Sequence, residues 1–146
     1  IRDPLSVIPS GLSLVTGVLD KRFGFWSLPI EKRSHFINRL YHGLVQLLLR
    51  FHSDWISGKI DKSKVMIVPF DRMMGDFDNL MGEILEFTNH DPSYELKKDI
   101  LATADKQRQF KSEHKYDLEK FGLTEQQIKE DCAVIYETFI NSGNSI

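Results

Sequence analysis

The sequence predicts an α/β fold, and three observations support this prediction. Amphipathic helical patterns cover most of the chain, and one short apolar run, residues 65–70, is rich in β-branched side chains. That run is too short for a buried helix and therefore indicates a buried strand. Because a lone strand leaves backbone groups unpaired, we expect sheet neighbours on both sides. The chain is thus predicted to be the C-terminal part of an α/β protein, one partial domain over residues 1–146 with one or two strands.

The first residues predict the end of a strand followed by a helix. A strand is expected to end at Ile1, with its neighbours upstream, and Asp3 and Pro4 suit the N-cap and the first helical position. Pro9 falls inside this segment, where a proline removes a helical hydrogen bond. We therefore expect the helix either to begin later or to bend near Pro9.

A long helix and a strand are predicted next. From Glu31 to about Ser57 apolar residues repeat with the i, i+3, i+4 spacing of an amphipathic helix, and Gly58 is a natural stop. The predicted strand follows at residues 65–70. Pro69 is expected near its end, where a missing N–H is tolerated.

The remainder of the chain is predicted to be mostly helical. Asp76 is a candidate N-cap for a helix over residues 77–88, a loop follows at 89–92, and Tyr94 to Ala104 forms another helix.

The last segments are a loop and a final helix. Residues 105–122 lack periodicity and are rich in polar and charged residues, which predicts an exposed loop. Thr124 and Gln127 form a capping box before a final amphipathic helix that reaches Ile140.

Composition excludes several classes of function. With 19 basic and 21 acidic residues the net charge is -2, so the chain lacks the basic footprint of many nucleic-acid binders, and we expect no nucleic-acid partner. The single cysteine, Cys132, cannot form an internal disulfide, and no Cys/His grouping has zinc-ligand spacing, so no metal is expected. No apolar run approaches a membrane span, which favours a cytoplasmic protein.

Arg2 and Ser10 are the candidate anion ligands. If a strand ends at Ile1, Arg2 lies at the carboxyl edge of a sheet, where open α/β folds bind ligands. Ser10 lies further along the predicted helix, and N–H groups at the helix start would add donors. A guanidinium and a hydroxyl can close on one anion, but this spacing also fits a helix cap and a surface ion pair.

The order of the motifs resembles a known family. Arg-Asp-Pro at residues 2–4, Ser10, a long helix ending near Trp55, an apolar strand reaching Phe70-Asp71 and the segment from Lys111 to Thr124 follow one another. This ordered set resembles the C-terminal half of the sulfotransferases that use 3'-phosphoadenosine-5'-phosphosulfate (PAPS). The resemblance implies a P-loop-type parallel-sheet fold, with the 5'-phosphosulfate loop upstream of Ile1.

The resemblance also implies site residues. Arg2 and Ser10 match the family residues that hold the 3'-phosphate of PAPS, and Lys111, Ser112 and Lys115 lie where the family closes over the nucleotide. Residues 65–71 match a structural element of the family. The catalytic residue is not assigned, because in the family it often lies upstream.

The predicted function is therefore sulfuryl transfer from PAPS to a hydroxyl or amine of an unidentified acceptor, without a metal. The chain alone is expected to be inactive, since the donor loop is missing. Two alternatives remain open: a nucleotide or small-molecule kinase fragment with Arg2 as a lid-type arginine, and a helical interaction module that binds a partner through the face between Phe36 and Trp55.

Overall fold

The computed structural model describes residues 1–109 and 117–141, and these residues are mainly helical. The helices are α1 (Pro4–Phe23), α2 (Ile30–Ile56), α3 (Phe70–Gly75), α4 (Phe77–Phe87), α5 (Tyr94–Gln109), α6 (Glu125–Asp131) and α7 (Ala133–Ile135). Short 3₁₀ turns occur at Phe25–Ser27, Lys62–Lys64 and Glu119–Phe121, and α7 continues into a π-helical turn, Tyr136–Ile140. Across these described helices, none combines the length and the apolarity that a membrane span requires.

The prediction of an α/β fold with a parallel sheet is wrong. None of the residues in 1–109 and 117–141 forms a β-strand, so the described chain is all-helical. Residues 65–69 are extended, as Val65 (φ -133°, ψ 117°) and Pro69 (φ -64°, ψ 133°) show, but Phe70 already begins α3. The short β-branched run therefore specifies an extended conformation without specifying a sheet, which requires neighbouring strands to pair with it.

Ile1 is the backbone partner of this extended segment. The backbone nitrogen of Ile1 donates to the carbonyl of Val68, and the N–H of Phe70 donates to the carbonyl of Ile1 over 2.7 Å. The two bonds flank Pro69 in the pattern of a single parallel bridge. Among the described residues the pattern does not continue into a ladder.

The chain divides into two compact units. The smaller unit comprises residues 1–2 and the described residues 61–109, in which α3, α4 and α5 pack against one another. Its buried apolar residues, within the described range, are Leu80 and Ala104. With so small an apolar core, this unit depends more on polar contacts between its helices.

Two arginines make those polar contacts. Arg72 on α3 donates to Glu83 on α4 over 2.7 Å and to Asp76 over 2.9 Å. Arg108 on α5 donates to both oxygens of Asp78 on α4 over 2.8 Å. The Arg72 guanidinium holds the pKa of Asp76 and of Glu83 below its ordinary value, so both carboxylates remain charged in the folded state.

The larger unit comprises residues 3–60 and the described residues 117–141. In it α1 packs against α2 and α6, and α2 packs against α7. Its buried apolar residues are Ile8, Leu12, Phe25, Ile37, Tyr41, Val45, Trp55, Phe121, Leu123, Ile128, Cys132, Ile135 and Phe139. The core of this unit therefore joins the first two helices to the C-terminal segments.

The helix start that Asp3 and Pro4 favour is confirmed, and the alternative that the helix begins beyond Pro9 is wrong. The carboxylate of Asp3 accepts the Leu5 N–H over 2.8 Å, which caps α1, and Pro4 occupies the first turn, where its missing N–H has no cost. α1 runs without interruption through Pro9, which is buried. The helix thus begins at Pro4 despite the internal proline.

The predicted long helix is also confirmed, since α2 spans Ile30–Ile56. It ends before Gly58, whose φ of 73° is the left-handed conformation that glycine adopts without strain. Ile37, Tyr41 and Val45 repeat at a spacing of four residues and are buried, and the burial of this apolar stripe stabilises the helix.

The middle of the chain agrees with the prediction in part. Asp76 lies at the N-cap position of α4, but its carboxylate accepts from Arg72 and from the Asn79 amide rather than from a backbone N–H. α5 starts at Tyr94 as predicted and continues to Gln109, so the predicted loop is wrong for residues 105–109. Residues 110–116 of that predicted loop lie outside the described residues. Within residues 117–122 a short 3₁₀ turn, Glu119–Phe121, buries Phe121, so this part is not a fully exposed loop.

The N-cap at Thr124 and the buried face of the last segment are confirmed, whereas the returning bond from the Gln127 side chain that completes a capping box is not found among the described residues. The Thr124 hydroxyl accepts the Gln127 N–H over 3.1 Å at the start of α6. Cys132 separates α6 from α7, so the segment is not one regular helix. Ile128 and Ile135 are nevertheless buried, as the apolar periodicity predicted.

Two tyrosines tie distant segments of the larger unit together. Tyr41 on α2, which is fully buried, donates its hydroxyl to Asp131 over 2.6 Å. Tyr136 donates to Asp3 over 2.6 Å. Burial and the adjacent carboxylates raise the pKa of both phenols well above the ordinary value, so both stay protonated donors.

We expect Tyr41→Phe to lower the free energy of unfolding by about 1–2 kcal/mol, because a hydrogen bond to a charged acceptor is lost without opening a cavity. Urea denaturation followed by circular dichroism measures the change. Tyr94→Phe is the matched control, since Tyr94 is 83% exposed. Equal stability of the two variants would contradict this role for the Tyr41 hydroxyl.

Cys132 is expected to react slowly with thiol reagents in the folded protein. Burial raises its pKa to about 11, so at pH 8 its thiolate fraction is about two orders of magnitude below that of an ordinary thiol. Reaction with Ellman's reagent should accelerate by at least that factor in guanidinium chloride. The same rate with and without denaturant would show that Cys132 is accessible.

Candidate functional site

Arg2 lies on an aromatic ring in the smaller unit. Its guanidinium carbon is 4.4 Å from the centre of the Phe70 ring, and both side chains are half-buried. The backbone bonds between Ile1 and the segment around Pro69 bring Arg2 and Phe70 together across the sequence. The cation–π contact restricts where the guanidinium can lie.

The charge of Arg2 is not neutralised by a described acidic group. Within residues 1–109 and 117–141, no carboxylate forms an ion pair with it, and its guanidinium makes no hydrogen bond. The face of an aromatic ring leaves the five N–H donors of the guanidinium open for another acceptor. Arg2 is therefore a positioned cation with unused donors, which is what an anion ligand requires.

Ser10 lies within α1 in the larger unit and is half-buried. Its hydroxyl has no hydrogen-bond partner among the described residues. Ser6 and Ser13 lie on the same side of α1, at spacings of four and three residues. Only Ser10 was predicted as a ligand from the sequence, although the helical spacing of the three serines indicates a row of hydroxyls on one side of α1.

The expected free N–H donors at the start of α1 are already used. Asp3 occupies them, its carboxylate accepting from Leu5 and its carbonyl from Ser6 over 2.9 Å and from Val7 over 3.0 Å. The prediction that helix-start N–H groups add donors for an anion is therefore wrong for these residues. Of the predicted anion ligands among the described residues, the side chains of Arg2 and Ser10 remain candidates.

The predicted site residues fall in different parts of the structure. Arg2 belongs to the smaller unit and Ser10 to the larger one. Lys111, Ser112 and Lys115 lie outside the described residues. The structure thus gives each of the first two side chains its own surroundings, and the assignment of the other three rests on the sequence.

Phe70 and Asp71 were predicted at the end of a strand, and they are the first residues of α3. Asp71 is exposed, whereas the ring of Phe70 lies against Arg2. Phe70 was predicted to have a structural role only, and its contact with Arg2 was not predicted. A pairing of residues so far apart has no local sequence signal.

No group of three or more His, Cys, Asp or Glu side chains in the described residues is arranged to hold a metal ion. Comparison with protein-family models, with curated proteins and with solved structures gave no match.

The contact between Arg2 and Phe70 can be measured with a double-mutant cycle of Arg2→Met and Phe70→Leu. We expect a coupling free energy of about 0.5–1 kcal/mol in urea denaturation, because each single variant removes the same cation–π contact. Additive effects of the two substitutions would mean that the ring does not stabilise the guanidinium.

Proposed function

We propose that the chain binds the adenosine 3'-phosphate end of PAPS in a sulfotransferase, with Arg2 as a ligand of the 3'-phosphate. The observation that supports this most directly is the position of the Arg2 guanidinium, held against Phe70 with no described carboxylate paired to it. The choice of this family comes from the resemblance of the ordered sequence motifs.

The chemistry of the Arg2 side chain suits a phosphate monoester. Such a group carries close to two negative charges at neutral pH and offers three acceptor oxygens. A guanidinium donates two parallel N–H bonds to phosphate oxygens. The aromatic contact of Arg2 reduces the freedom that the guanidinium loses when it binds an anion.

In the proposed reaction Arg2 binds and orients the sulfuryl donor, PAPS. The acceptor oxygen or nitrogen attacks the sulfur of PAPS, a new bond to sulfur forms, and the bond between sulfur and the bridging phosphate oxygen breaks. The acceptor loses its proton, and adenosine 3',5'-bisphosphate leaves. As in phosphoryl transfer, positioning and neutralisation of charge lower the barrier. No residue of this chain is assigned as the base that takes the proton.

The two alternatives have less support. A kinase fragment uses the same arginine on a nucleotide that lacks the 3'-phosphate, and nothing about Arg2 favours that nucleotide. The interaction-module hypothesis relied on the face between Phe36 and Trp55. Four residues of that face are buried by packing within the larger unit: Ile37, Tyr41, Val45 and Trp55.

Titration calorimetry with adenosine 3',5'-bisphosphate and with adenosine 5'-phosphate tests the proposal. We expect the bisphosphate to bind at least about tenfold more tightly, because only it offers the 3'-phosphate. Arg2→Ala should remove this preference by lowering affinity for the bisphosphate alone.

Arg22→Ala is the matched control, since Arg22 is an exposed arginine at the end of α1. It should leave both affinities unchanged. Equal binding of the two nucleotides would contradict the sulfotransferase hypothesis and favour the kinase alternative. No binding of either would contradict both.

A further inference from the structure

The larger unit carries an apolar groove of about 660 Å³ where α1 meets the start of α2. Its apolar lining consists of Leu19, Phe23, Phe25, Leu28, Phe36 and Leu40. A volume of this size lies within the range of small-molecule sites in proteins. The groove is distant in sequence from Arg2, and the inference drawn from it does not depend on the proposed function.

The floor of the groove is preformed and its rim is open. Phe25 is only 3% exposed and packs edge-on against Phe36 with ring centres 5.3 Å apart. Phe23 at the rim is 74% exposed, and Leu28 is partly exposed. An apolar ligand would therefore enter against fixed rings and remove the Phe23 ring from water, which is favourable.

One edge of the groove is basic. Lys32, His35 and Arg39 line it from α2, at spacings of three and four residues that place them on one side of the helix. No carboxylate of the described residues lines the groove. Neither Lys32 nor Arg39 forms an ion pair with any carboxylate in the part of the chain that the structure describes. These cations therefore lack a counter-ion, and the groove favours a ligand that brings one.

We propose that this groove binds a small amphiphilic anion, a single alkyl chain that ends in a carboxylate. The alkyl chain lies on Phe25 and Phe36, and the carboxylate faces Lys32 and Arg39 at the basic edge. A cationic amphiphile meets repulsion there, and a neutral one leaves the cations unpaired. The apolar floor thus favours an alkyl chain, and the basic edge favours a negatively charged head group.

Isothermal titration calorimetry of the full chain with sodium decanoate, below its micelle concentration, tests the proposal. We expect saturable binding of one decanoate per chain. Octanoate, two methylenes shorter, should bind roughly tenfold more weakly, because each buried methylene changes affinity about fourfold. Decyltrimethylammonium, with the same chain and the opposite charge, should also bind at least about tenfold more weakly.

The double variant Lys32→Glu/Arg39→Glu should weaken decanoate binding by at least about tenfold, because it replaces the two cations at the edge of the groove with carboxylates that repel the ligand. Both side chains are exposed, so their reversal leaves the core intact. Lys97→Glu/Lys98→Glu on α5 is the matched charge reversal outside the groove, and it should not change the affinity. Circular dichroism checks that each variant folds. Phe23→Ser, which changes the apolar rim without changing charge, should weaken binding by about tenfold as well.

Several results would overturn the proposal. These are the absence of saturable binding, equal affinity for decanoate and decyltrimethylammonium, and equal losses in the two charge-reversal variants. Binding to vesicles of phosphatidylglycerol without binding to monomeric decanoate would assign the surface to a membrane instead of a soluble ligand. Unchanged affinity for adenosine 3',5'-bisphosphate in the groove variants is expected, because Arg2 and the groove are separate sites.

Discussion

The larger unit depends on two tyrosine hydrogen bonds that tie α1 and α2 to its C-terminal segments. Asp3 serves twice, since its carboxylate caps α1 through Leu5 and also accepts the hydroxyl of Tyr136. Tyr41 donates to Asp131 from the centre of α2. Tyr41 is fully buried and Tyr136 is half-buried, and a phenol removed from water without a partner is costly, so each bond restricts the position of one helix against the C-terminal segments. The apolar residues of the core pack between the same elements.

The smaller unit shows how a different constraint replaces a sheet. Residues 65–69 are extended, and their backbone contact is with Ile1 rather than with a described strand. The contact places Arg2 next to Phe70 and so produces the positioned cation on which the proposed 3'-phosphate site rests. A backbone bridge of only two hydrogen bonds thus determines where the Arg2 side chain lies.

The two sites use arginine and lysine for different purposes. Arg2 is restricted by an aromatic ring, which suits tight recognition of a phosphate by paired N–H donors. Lys32 and Arg39 are exposed side chains along the edge of an apolar groove, where they select the sign of a ligand's charge. For the proposed ligands, apolar contact would supply most of the affinity in the groove, whereas charge-assisted hydrogen bonds would supply it at Arg2. Mutation of one set should therefore leave the other site unchanged.

The sequence by itself determined the local features of this protein. The limits of α2, the cap at Asp3 and the cap at Thr124 follow from the periodicity and hydrogen-bonding chemistry of neighbouring residues, and all three are confirmed. Only the tertiary structure decided that residues 65–69 form no sheet, that Phe70 lies against Arg2, and that three basic residues of α2 border an apolar groove. The physical reason is that each of these features depends on how elements pack against one another, and periodicity within an element does not specify its partner.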